Sequence, residues 1–143
     1  MGEQQLEALQ VTDEYGVHLT EITLHHEGPL PLRQMAGLLL KQYVDAHWSC
    51  EAEKFKEPEA TPKAKAAVRA MLPLGLKESI SKVRNSVAYC VSAIASWDWP
   101  EQWPELFEIL TEALKAGAGR NVTYLIVLRI NIISYIMIVK NCG

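Results

Sequence analysis

The chain has 143 residues, 49% hydrophobic and 22% charged, with a formal net charge of −3, which is enough material for one packed core. All 17 acids lie at or before Glu112, so residues 1–116 hold 17 acids against 11 bases, a net of −6, and only Arg120, Arg129 and Lys140 follow. An acidic body of this kind does not suit phosphate-backbone binding, which needs clustered Lys and Arg, and is better matched to basic protein partners. The three cysteines, Cys50, Cys90 and Cys142, make neither a C-x-x-C pair nor a disulfide framework, which points to a reducing compartment. Cys50 and Cys90 are predicted to be buried as small apolar residues. Met1 to Gln10 contains no apolar run, so no signal peptide is visible.

The predicted elements are all helices until residue 120. Glu14 to Leu24 places Tyr15, Leu19 and Ile22 on one helical face, and His25-His26-Glu27-Gly28-Pro29 stops it. Leu32 to Trp48 follows, with Leu32, Met35, Ala36, Leu39 and Tyr43 on one stripe. Leu38 and Leu40 widen that stripe, as expected of a helix packed on more than one side. Residues 49–60 form a charged loop. Thr61 reads as an N-cap and Pro62 as the first helical residue of a helix carrying Ala64, Ala67, Val68, Met71 and Leu72. Leu72-Pro73-Leu74-Gly75 ends it. From Ile80 to Ser96 a further helix is expected to bury Ile80, Val83, Val87, Val91 and Ile94.

Asp98-Trp99-Pro100-Glu101-Gln102-Trp103-Pro104-Glu105-Leu106 comes next. Two Trp-Pro pairs four residues apart cannot sit inside a helix or a central strand, because each proline lacks an N–H and pushes the preceding tryptophan towards extended geometry. The segment is therefore a corner between helices, pinned by two indoles, with Trp97 packed at the same place. The last helix, Trp103 to Ala116, aligns Trp103, Leu106, Phe107, Leu110, Ala113 and Leu114, and sets Glu101, Glu105, Glu108 and Glu112 on the opposite side. An internal echo runs through these helices. Arg33 and Arg84 lie 51 positions apart, as do Ala36 and Val87, Leu40 and Val91, Tyr43 and Ile94, and Trp48 and Trp99. Arginine opens each copy, tryptophan closes it, and a second amphipathic helix follows. That pattern marks stacked helical hairpins, which cannot hide their apolar faces alone. The charged 49–60 loop accounts for the excess over the roughly 40–47 residues of HEAT-type repeats.

Leu32-Arg33-Gln34-Met35-Ala36-Gly37-Leu38-Leu39-Leu40-Lys41-Gln42-Tyr43-Val44, ending in His47-Trp48, resembles the N-terminal motif of the importin-β (karyopherin) family of nuclear transport receptors. In that motif an arginine, a small residue, a Leu-Lys pair and a closing tryptophan recur. Val83-Arg84-Asn85-Ser86-Val87-Ala88-Tyr89, through Trp97-Asp98-Trp99-Pro100 and Trp103-Pro104 to Leu106, resembles the repeat that follows it. The motif positions carried over are Arg33, Lys41, Trp48, Arg84, Asp98, Trp99, Pro100, Trp103 and Pro104. The resemblance covers roughly residues 3–116 and implies an all-α solenoid of HEAT-type hairpins. It further implies inner-surface helices that bind the GTP-bound Ran GTPase and basic cargo such as core histones or ribosomal proteins, in cytoplasm and nucleus. On this resemblance the chain is expected to begin inside the first helix of the first repeat and to hold about two and a half repeats, where stable arrays need at least about three.

After Ala116 the character changes, which divides the chain into family repeats over 1–116 and a divergent tail over 117–143. Val122 to Val139 is 18 residues, 14 of them apolar or Tyr and 10 β-branched, with no acid. Three readings stand open. As a helix the run would span about 27 Å against a hydrocarbon thickness of about 30 Å, but Arg129 sits near its middle at a cost of about 2.5–3.5 kcal/mol. Its β-branched content otherwise favours a strand packed on the last helix. The third reading is an alternative exon end or an intron read as coding, with Gly117-Ala118-Gly119-Arg120 at the junction. Asn121-Val122-Thr123 matches a glycosylation acceptor, without a secretory signal to give it meaning.

No phosphate-cradling glycine motif occurs, and the four histidines, His18, His25, His26 and His47, form no H-x-x-x-H pair. His47 and Cys50 are one candidate ligand pair without a second, and a catalytic His-Cys pair at that spacing would need an orienting partner and a pocket. The expectation is a non-enzymatic protein without a cofactor. Two sets of residues are candidates for contact with Ran or cargo. Glu101, Glu105, Glu108 and Glu112 are either a solvated face or a dock for basic cargo. Lys63, Lys65 and Arg69 line one side of their helix, either solvated or meeting acidic patches on Ran. The rival to a transport-receptor fragment is a product without transport activity, tail-anchored or acting as an adaptor that competes for one partner.

Overall fold

The computed structural model describes residues 14–115, together with Ile126 and Lys140. The described chain is helical and contains no strand: α1 (Tyr15–Leu24), α2 (Leu30–His47), α3 (Pro62–Met71), a 3-10 helix (Leu72–Lys77), α4 (Ser81–Asp98) and α5 (Leu106–Lys115). α1 packs on α2 and α3, α2 packs on α4, and the 3-10 helix touches α1, α3, α4 and α5. Two layers result, one of α1, α3 with its 3-10 extension and α5, the other of α2 and α4. This is the stacked-hairpin solenoid that the echo predicts. The readings of the 122–139 run lie outside the described residues, as does Met1 to Gln10. Ile126 alone of that run is described, and it is buried with the core.

Local chemistry explains where the helices begin and end. Thr61 is extended and its hydroxyl accepts the Ala64 N–H at 3.2 Å, capping α3, with Pro62 at a position whose N–H would be unpaired anyway. Pro73 cannot supply the next N–H of an α-helix, so α3 tightens into the 3-10 turn after Met71. The core runs along the seam between layers. Leu40, Trp48, Val68, Leu72, Leu76, Val87, Val91, Ile94, Leu106 and Leu110 have no exposed surface. Burying each such side chain contributes about 1.5–3 kcal/mol. The echo pairs Ala36/Val87, Leu40/Val91 and Tyr43/Ile94 are all buried, so the two copies present equivalent faces.

One buried charge fixes the rotation of α2. Arg33, with 2% of its surface exposed, donates from Nε to the Thr23 carbonyl at 3.1 Å and from Nη2 to Glu78 Oε2 at 2.6 Å. The first bond places a cation on the C-terminal end of α1, where the helix dipole favours it. The second ties α2 to the turn that starts α4. Arg84, the echo of Arg33, donates to the Glu78 carbonyl at 2.7 Å, so both repeat arginines converge on one residue. Burial alone pushes the Glu78 carboxyl up. The Arg33 hydrogen bond, the Ile80 N–H and the charges of Arg33 and His26 outweigh that, and the group sits below the usual 4.5.

This geometry corrects several sequence expectations. α2 opens at Leu30 rather than Leu32, and its buried face carries Arg33, Ala36, Gly37, Leu40, Tyr43 and Val44. Leu32, Met35 and Leu38 are exposed, because a helix apolar around most of its surface is oriented by its one buried charge. α5 opens at Leu106 rather than Trp103, since Pro104 disfavours helical geometry at the preceding Trp103, and Phe107 turns outward. Of the tryptophans at the corner, Trp103 is buried and Trp99 half-buried, whereas Trp97 is exposed. Cys50 is exposed on the loop, while Cys90 is buried and burial pushes its thiol up to about 12, leaving it unreactive.

Two outcomes follow from the packing. A Cβ on Gly75 would lie 2.6 Å from Val87 Cγ2 and 2.7 Å from Leu24 Cδ2, and the valine is too stiff to give way. Gly75→Ala is expected to lower unfolding stability by about 1–3 kcal/mol in urea titration, and an unchanged midpoint would refute the close approach. Because the folded Glu78 carboxyl is depressed, its contribution is complete above the unfolded value of 4.5 and is lost as pH falls through the folded one. Glu78→Gln should cost about 3 kcal/mol at neutral pH. Its deficit against the native protein should shrink in acid; a deficit that does not change with pH counts against the ion pair.

Candidate protein-interaction surface

The surface is positioned by a junction at the end of α4. Trp48 closes α2 with its ring wholly buried and donates from Nε1 to Asp98 Oδ2 at 3.0 Å. Arg69 of α3 donates from Nη1 to the same oxygen at 2.7 Å. One carboxylate, 6% exposed, thus joins three helices. The Asp98 carbonyl then accepts the N–H groups of Gln102 at 2.8 Å and Trp103 at 3.1 Å. Trp99 is extended, as Pro100 requires, and Trp103 turns inward with 3% exposure. The corner redirects the chain into α5, whose outer face is set by this junction.

A second seam joins α2 and α4 nearer the surface. Tyr89 donates to both oxygens of Asp45 at 2.9 and 3.0 Å, and Lys41 Nζ lies 4.9 Å from the centre of the Tyr89 ring. The motif lysine therefore acts between repeats. The 49–60 loop folds back on the end of α2 through Lys56 N–H to the Ala46 carbonyl and Ala60 N–H to the His47 carbonyl, each 2.7 Å. Cys50 N–H donates to Glu59 Oε1 at 2.8 Å, the main reason that carboxyl sits below its usual value.

The expected contact residues are placed unequally. Glu101 and Glu105 lie on the corner and Glu108 and Glu112 one turn apart on α5, all exposed. Lys63 is exposed on α3. Lys65 lies 3.7 Å from Glu59 and 5.8 Å from the Trp48 ring, and Arg69 is engaged with Asp98. These three cations are therefore not one uncommitted patch. Pro104 is exposed at the corner, and Arg84 is half-buried with its guanidinium on the Glu78 and Ser79 carbonyls. The sequence reading missed Glu78. An arginine on an otherwise apolar helical face signals a buried partner, but nothing local names a residue 45 positions away.

Between the 3-10 helix and α5 lies a groove of about 510 Å³, its walls including Pro73, Leu74, Ile109, Glu108, Glu112 and Lys77. Leu74, 64% exposed, is the most exposed large hydrophobic side chain among the described residues. Among the described residues no group of three or more His, Cys, Asp or Glu could hold a metal, and no helix is long and apolar enough to cross a membrane. What the arrangement offers is helix faces, charge and an apolar groove, the means of protein recognition.

Comparison with known proteins identifies the family. The Importin-beta N-terminal domain family matches residues 2–80. The chain is 39% identical to Importin-9 of Drosophila melanogaster over 115 residues, covering 78% of this chain and 11% of that protein. It is 30% identical to Importin subunit beta-5 of Saccharomyces cerevisiae over 99 residues, 67% of this chain and 10% of the relative. Identity to Importin-11 of Homo sapiens is 29% over 114 residues, 80% of this chain and 11% of the relative. The chain thus spans about a tenth of the length of the curated relatives it matches. With Arg33, Trp48 and Asp98 locking its hairpins and a family match over more than half its length, the chain belongs to the importin-β family of transport receptors, in their N-terminal region.

Proposed function

We propose that the chain forms part of the first repeats of a non-enzymatic nuclear transport receptor, one that binds GTP-loaded Ran and basic protein cargo and moves between cytoplasm and nucleus. The observation that carries this reading beyond family membership is the exposed row Glu101, Glu105, Glu108 and Glu112 at the corner and along α5. Clustered carboxylates raise the local concentration of basic partners and select against acidic ones. Core histones or ribosomal proteins have the matching charge. Lys63 is the cation of α3 best placed to meet an acidic patch on Ran, with Lys65 and Arg69 contributing less because Glu59 and Asp98 hold them. Residues 1–116 form the family portion in this reading and 117–143 a different ending; the match over residues 2–80 supports the first of these.

Retention of the chain on GTP-loaded and GDP-loaded Ran, together with core-histone binding at two salt concentrations, tests the proposal. Glu108→Lys with Glu112→Lys should weaken histone binding about tenfold at low salt and less at high salt. Lys63→Glu should reduce retention on GTP-loaded Ran and leave histone binding unaltered. Equal retention on the two nucleotide forms, with histone binding indifferent to charge reversal and salt, would contradict it.

A further inference from the structure

We propose that the groove between the 3-10 helix and α5 docks a basic linear segment of a partner protein that carries one or two large apolar side chains. This rests on the reading that the α5 carboxylates receive basic partners, and it adds a second, apolar determinant beside them. Leu74 and Ile109 line the groove and are 64% and 37% exposed, although both are large aliphatic side chains. An apolar surface left open at that level inside a defined groove marks an interaction site more than a scattered leucine does. The volume of about 510 Å³ falls within the range of ligand-binding clefts, about 300–1,000 Å³.

The walls also say what charge the occupant carries. Glu108 and Glu112, spaced four residues apart, stand on the α5 side and follow Glu101 and Glu105 in sequence. Glu112 has Lys115 Nζ at 3.5 Å, but both side chains are 70% exposed, a screened pair that an incoming cation can replace. Lys77 is the groove's one cation among the lining residues and belongs to the opposite element. Basic residues of the occupant therefore lie along α5, with the apolar side chain against Leu74 and Ile109. A purely basic segment would engage the carboxylates alone; a purely apolar one would leave them unmatched. The groove selects segments that have both.

Three fluorescent synthetic peptides test this on the full chain: lysines flanking two leucines, the same peptide with serines for leucines, and the same with glutamates for lysines. Leu74→Ser is an exposed substitution, and thermal melts of the variants confirm that the fold is kept. Leu74→Ser with Ile109→Ser should weaken the lysine–leucine peptide at least about tenfold and leave the lysine–serine peptide unchanged. Glu108→Lys with Glu112→Lys should weaken both, and the glutamate peptide should not bind. If the charge reversals act but the apolar substitutions do not, the groove is overturned while the acidic docking surface stands. If neither set of substitutions changes any peptide's binding, both are overturned.

Discussion

A single buried carboxylate, Asp98, holds the hairpins in register. Its Oδ2 accepts from the Trp48 indole and the Arg69 guanidinium, and its carbonyl accepts from the two N–H groups that begin the corner. Removing the carboxylate would leave the Trp48 indole N–H unpaired away from water, which costs far more than losing a surface contact. Stacked hairpins have no long-range strand pairing to specify their relative placement, so a few polar junctions must do it. Arg33 and Glu78 form the second such junction, at the opposite end of α2.

These junctions connect the buried seam to the outer surface. α5 has its direction because Asp98 ends α4 and Trp103 turns inward, and that direction sets the carboxylates of α5 beside the groove edged by Leu74. Three cations of the hairpins are held by carboxylates away from α5: Arg33 by Glu78, Arg69 by Asp98 and Lys65 by Glu59.

Much of this was legible in the residues. The Trp-Pro pairs specify a corner through the missing N–H of proline, and Thr61-Pro62 specifies a helix start through a hydroxyl cap. The 51-residue echo specifies two equivalent hairpins because a helix opened by arginine and closed by tryptophan recurs. Other features were not legible for definite reasons. Leu32, Met35 and Leu38 fit an apolar stripe as well as Leu40 and Val44 do, and only the distant Glu78 decides which arc is covered. Trp97 and Phe107 are exposed because the corner sets their rotation, and hydropathy carries no information on rotation. The groove joins segments 35 positions apart, Leu74 and Ile109, which no periodicity relates.

The central claim is that Trp48 and Asp98 act as one unit between repeats. A double-mutant cycle in urea, comparing the native chain, Trp48→Phe, Asp98→Asn and the combination, reads that coupling directly. An interaction energy of about 1 kcal/mol or more is predicted. Strictly additive losses would show that the indole and the carboxylate stabilise the chain independently, and the account of how the hairpins are joined would fail.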